Sequence, residues 1–177
     1  MRYTEKQLQT VLRDLASYLM GKEMKEDVWD EIRAMEKQLH AFTMDAYEYQ
    51  DNTFQSHPGY YIDYFEMRTQ QFGILHNLHY EINKIRTVHK QAKIVADFML
   101  YMVDYVIEIH VPTIQLERLK QIFEEMHEEP LPQTIEEFES RAMLYHILMD
   151  LEDFLIFKRR FVNSLDAEKK RIYWNEK

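Results

Sequence analysis

Two arginines, a glutamate and a histidine sit on helical faces that are otherwise apolar, and these are the residues of the chain best suited to chemistry. At about 100° per residue, the segment starting at Tyr60 puts Tyr61, Phe65, Phe72, Leu75 and Ile82 on one side, with Arg68 in the middle and His79 close by. The segment after Thr134 gathers Phe138, Tyr145, Leu148 and Leu155 on one side, together with Arg141 and Glu152. A guanidinium removed from water keeps its charge, so it needs a carboxylate or several carbonyl oxygens. Arg68 or Arg141 is therefore expected to pair with Glu152, or with another inward acid such as Asp97 or Glu139. Two chemistries fit. One is a structural ion network that fixes helix register. The other is a receptor for an aromatic carboxylate, gripped by the planar fork of Arg and stacked by Tyr60, Tyr61, Tyr64, Tyr80, Tyr101 or Tyr105. The candidate network or ligand site thus comprises Arg68, Arg141, Glu152, His79 and Tyr64.

Signals for catalysis and for metals are weaker. Of the eight histidines, His127 completes a Glu-x-x-His through Glu124. A carboxylate-bridged metal bundle, however, wants two such motifs and two further inward glutamates, and this one runs into Glu128-Glu129-Pro130 at a helix end. His76 and His79 stand three residues apart without an inward acid pair, and Asp97, Asp104 and Glu108 read as solvated helical acids. No phosphate-binding glycine loop, nucleophile elbow or zincin motif is present in the sequence. The expectation is a protein that is not an enzyme, with no cofactor and no metal ligands.

The elements that must position these residues are nearly all helices. Pro130 and Pro132 stop one helix, and Thr134 with Glu137 forms a T-x-x-E capping box that starts the next, about thirty residues long. A second such box is read at Thr4 to Gln7, followed by Leu8, Val11, Leu12, Leu15 and Leu19 on one face, with Gly21 as the C-terminal cap. Asp27 opens a helix with the stripe Val28, Ile32, Met35, Leu39 and Phe42, and a loop follows at Ser56 to Gly59. Further helices run from Tyr60 to about Ile85, from Lys90 to His110 ahead of Pro112, and from Thr113 to His127. Gly73 falls inside a helix, where it suggests a close approach of a neighbour. No segment alternates with period two between turn signals, so no sheet is expected. The predicted fold is all-α: a mostly antiparallel bundle of about six helices, four of them long, with residues 1–165 as one domain and 166–177 as a charged, frayed tail.

Composition bounds the partners. With 46% hydrophobic and 14% aromatic residues in 177, the chain has ample material for a core. A net charge of −9 argues against nucleic acid and against an anionic lipid face. The absence of cysteine excludes disulfides and thiolate chemistry. The most apolar run, Ile94 to Ile109, carries Asp97, Asp104 and Glu108 and reads as a core helix rather than a membrane span. Trp29 and Trp174 are candidate contact points for a homo-oligomer.

Three stretches carry a resemblance. They are Tyr60-Tyr61-Ile62-Asp63-Tyr64-Phe65-Glu66-Met67-Arg68, the segment Ala96-Asp97-Phe98, and the run that opens with Pro130-Leu131-Pro132 and closes with Phe138-Glu139-Ser140-Arg141-Ala142. Together they resemble the C-terminal domain of the aromatic acid exporter family of Gram-positive bacteria, roughly from the first helix to Val162. The resemblance implies an N-terminal block of membrane helices, absent from this chain, as the domain's partner. It also implies a place on the cytoplasmic face of the bacterial membrane and a part in exporting aromatic carboxylic acids. Assembly, gating and substrate capture all remain open as that part. The residues alone also leave open a free-standing helical interaction module and, ranked last, a carboxylate-bridged metal bundle. The family pattern supplies no catalytic or transport residue to this domain.

Overall fold

The computed structural model describes residues 1–21, 27–52, 58–85 and 90–174. Among them are seven helices and no strand: α1 Arg2–Leu19, α2 Asp27–Asn52, α3 Pro58–Ile82, α4 Lys90–Val103, α5 Thr113–His127, α6 Ile135–Ser164 and α7 Ala167–Trp174. The all-α expectation holds. α3 lies at the centre, packed along α2, α6 and α1, while α4 packs on α1, α5 and α6. α3 runs antiparallel to α2 and α6 and parallel to α1, whose Glu5 meets Arg68 and whose Tyr18 meets Asn83. Phe42 meets Phe65 and Trp29 meets His79 across α2 and α3, and Tyr60 meets Phe161 and Gln71 meets Phe154 across α3 and α6. No described helix is long and apolar enough to cross a membrane.

Local chemistry explains most boundaries. The Thr134 hydroxyl accepts from the Glu137 N–H at 3.1 Å, so Thr134 caps the helix as read, and the Glu137 carboxylate reaches back one residue further than a capping box requires, to the Gln133 N–H at 2.8 Å. Gly21 takes φ 76°, a conformation glycine adopts freely, and its N–H closes the end of α1 on Tyr18. Pro58 and Gly59 belong to the first turn of α3, and the rest of the expected loop lies outside the described residues, as does the connection at 86–89.

Four expectations fail. α1 starts at Arg2 with Met1 as its cap, so Thr4 is no cap: it is buried inside the first turn, and Glu5 beside it is drawn inward too. α4 stops at Val103 instead of His110, for a reason given below. Gly73 admits no close neighbour, since a methyl group there would meet nothing within 4 Å. Residues 167–174 form helix α7, where a frayed tail was anticipated. The Asp166 carboxylate caps α7 by accepting from the Lys169 N–H at 2.7 Å. Tyr173 stacks on Tyr60 with centroids 3.8 Å apart, and the Trp174 indole N–H donates to the Tyr60 hydroxyl at 3.3 Å. Aromatic anchoring outweighs the charge of the segment.

The core divides in two. A large cluster joins α1 to α6 around Leu12, Ile32, Leu75, Met99 and Leu151, and a smaller one holds Tyr60, Tyr64, Met67, Phe161, Val162 and Leu165 under α7.

Candidate functional site

Arg68 is fully buried at the meeting point of α1, α3, α6 and the α4–α5 connection. One of its terminal nitrogens, Nη2, donates to Glu5 at 3.2 Å and to the Val106 carbonyl at 2.7 Å, while Nη1 donates to the Gln71 amide oxygen at 2.7 Å. The guanidinium also lies 5.0 Å from the centre of the Tyr64 ring. Both side-chain partners are engaged elsewhere. Glu5 accepts from the Glu108 N–H at 2.7 Å, and Gln71 donates to the Phe154 carbonyl of α6 at 3.0 Å. Burial pushes the Tyr64 phenol up, and Arg68 pulls it back.

Lys158, 1% exposed, completes the arrangement from α6 by donating to the carbonyls of Tyr105 and Ile107. Gln9 of α1 donates to the Val103 carbonyl at 3.0 Å. The carbonyls of 103, 105, 106 and 107 are thus all taken by side chains from other helices. α4 ends where it does because its backbone finds these partners in place of its own next turn. The apolar β-branched run Val106, Ile107, Ile109 and Val111 contributes little helix propensity to oppose this.

Of the five residues chosen from sequence, this centre contains Arg68 and Tyr64. Arg141 is part-buried but local: it pairs with Glu137 one turn back at 2.6 Å and donates to the Pro130 carbonyl, tying the Pro-Leu-Pro turn to α6. Glu152 is exposed, as are Asp97 and Glu139, so the expected pairings are replaced by Arg68–Glu5 and Arg141–Glu137. His79 lies eleven positions along α3 from Arg68, about 16 Å away, where its ring stacks on Trp29 at 4.9 Å. Burial, then His76, lowers its pKa.

The inward face of α6 was half right: Leu148 and Leu155 are buried as expected, whereas Phe138, Tyr145 and Glu152 are exposed. The buried stripe runs through Ser140, Leu144, Ile147, Leu151, Phe154 and Lys158, about one residue's rotation from the face carrying Arg141 and Glu152. Phe138 and Tyr145 form a second apolar stripe that faces out, 61% and 43% exposed. Sequence reading missed Glu5, Gln71 and Lys158, though spacing held the signal. Glu5 continues Leu8, Leu12 and Leu15 backwards, and Lys158 stands seven residues beyond Leu151.

A second polar cluster lies between the end of α3 and α6. Glu81 is hydrogen-bonded to His146 Nδ1, and Asp150 stands one turn further along α6. One ligand-type atom from each of the three lies within 4.8 Å of the others. Burial, then Glu81, pushes the Asp150 carboxyl up to about 6, with His146 opposing. His146 and Asp150 are four residues apart, a spacing that marks one helix face and was legible.

A groove of about 540 Å³ runs between α4 and α5 past Phe98 and Tyr101. It carries Asp97, Glu117 and Glu125 against the single cation Arg118, which is itself held by Glu125 at 2.8 Å and Gln121 at 3.2 Å. Such a lining repels an organic anion.

Comparison with known proteins agrees with this architecture. The chain is 35% identical over 106 residues to the uncharacterized protein YqjA of Bacillus subtilis strain 168, an alignment covering 60% of this chain and 33% of that protein. It therefore spans about a third of that relative's length. A crystal structure described as a "putative membrane protein from Clostridium difficile 630" superposes with a TM-score of 0.81 over 92% of this chain and 94% of that one. At 22% identity, that match speaks to the fold. The family model "Putative aromatic acid exporter C-terminal domain" matches residues 1–159, and the chain belongs to that family.

Proposed function

We propose that this is a non-catalytic accessory domain of a membrane exporter of aromatic carboxylic acids, lying on the cytoplasmic face and acting in assembly with the membrane part of a longer protein. The observation that carries this reading is the engagement of Arg68. Its terminal nitrogens are committed to Glu5, Gln71 and the Val106 carbonyl. A ligand carboxylate could not grip both terminal nitrogens without displacing Glu5 or the Val106 carbonyl from Nη2; Glu5 also holds the Glu108 N–H, and the one nitrogen without a partner, Nε, is buried. The acidic α4–α5 groove is equally unsuited to an aromatic acid. Substrate capture therefore has little to work with, whereas assembly has the outward stripe of α6, where Ile135, Phe138, Tyr145 and Met149 stand three, seven and four residues apart in the open.

Two variants in the full-length protein separate the roles. Arg68→Met should lower stability by about 3–5 kcal/mol, because it orphans a buried carboxylate. Benzoate should leave the melting temperature of the wild-type domain unchanged. Phe138→Glu, on an exposed position, should leave domain stability intact and change the size of the detergent-solubilised assembly. A benzoate-induced rise in melting temperature that Arg68→Met abolishes would instead establish capture.

A further inference from the structure

We propose that Glu81, His146 and Asp150 form a binding site for one divalent ion of the zinc class, joining the C-terminal end of α3 to the middle of α6. The donor set is one imidazole nitrogen and two carboxylate oxygens, a combination that zinc accepts, with solvent in the remaining position. Side-chain placement favours it. His146 and Asp150 project from successive turns of one helix, and Glu81 faces them from the antiparallel neighbour. The three ligand atoms lie within 4.8 Å of one another, and tetrahedral bonds of about 2.1 Å need separations of ~3.4 Å. Reaching that spacing requires the direct Glu81–His146 hydrogen bond to open around the ion.

A second observation points the same way. Glu81 is only 9% exposed, and its Oε2 has no hydrogen-bond partner; Asp150 Oδ2 is likewise buried without one. Buried carboxylate oxygens without donors are costly, and here both belong to residues that converge on one point. A divalent ion would supply both oxygens with a partner and balance the two carboxylate charges, leaving the imidazole neutral. His146 is more than half exposed on its side chain, which gives the ion a way in from solvent. Neither Glu124–His127 nor His76–His79, the pairs that sequence spacing singles out, has a third ligand of this kind among the described residues.

The test uses the purified chain stripped with chelator and titrated with zinc chloride by calorimetry. One equivalent should bind. Asp150→Asn and His146→Gln should each weaken binding by more than the roughly 10–100-fold that loss of an outer-sphere partner costs, whereas His127→Gln should leave it unchanged. X-ray absorption fine structure of the wild-type zinc complex reads the ligands directly, so a variant that fails to fold does not block the answer. One imidazole with oxygen donors is expected. Absence of uptake, a shell of several imidazoles, or uptake unaffected by Asp150→Asn in a folded variant would overturn the assignment.

Discussion

Lys158 is buried to 1% exposure and held by two carbonyls. A neutral amine carries two N–H groups, and Lys158 has two carbonyls to receive them, those of Tyr105 and Ile107. Burial, then the Arg68 guanidinium, drives its pKa well below the usual 10.5, with Glu5 opposing. Between that lowered value and 10.5, the unfolded chain holds a proton that the folded chain does not. The contribution of Lys158 to stability therefore rises with pH across the interval and is constant on either side of it. In a carbon-detected titration, the Lys158 Cε resonance should move at lower pH than the other lysines, and Lys158→Met should lack the rising limb in urea unfolding. Co-titration of Lys158 with the other lysines would contradict this account. The same residue marks the limit of sequence reading. Spacing places position 158 on the buried stripe of α6, but nothing in the local sequence says that a lysine there will meet free carbonyls, because those carbonyls are freed by the early end of α4.

At the scale of elements, start and stop signals written within a few residues were legible. Thr134 with Glu137, Gly21 at the end of α1, and the prolines ahead of α5 and α6 act through local hydrogen bonds or their loss, and each sits where the pattern placed it. The α4 terminus was not legible, since what ends the helix is supplied by Gln9, Arg68 and Lys158, residues distant in sequence. The inward side of α6 was only half legible for another reason: the helix has two apolar stripes, and periodicity alone does not say which one is covered. Gly73 offers a clean test of local propensity. It lies in the interior of α3 with open space around its Cα, so Gly73→Ala should stabilise the domain by about 0.5–1 kcal/mol. A rise of a few degrees in melting temperature would register this, and a fall would mean that a neighbour does approach α3.

For the whole molecule, the fold class and the antiparallel course of α3 against α2 and α6 followed from composition and breakers, whereas the buried centre depended on contacts that no single segment contains. That centre also sets an order of events. Glu5 and Glu108 are separated by 103 positions, Lys158 and Ile107 by 51, and Arg68 and Val106 by 38, so the centre closes only when distant parts of the chain have come together. Loop closure must be met before any of these bonds rewards it. The helical hairpin of α2 and α3 needs no such encounter and is free to form first. The polar centre then behaves as a late latch, consolidated on the native side of the folding barrier. In stopped-flow measurements, Glu5→Gln should accelerate unfolding while leaving the refolding rate nearly unchanged, giving a φ-value near zero. The residues that hold this bundle closed would then govern how long it stays folded, and hardly at all how fast it gets there.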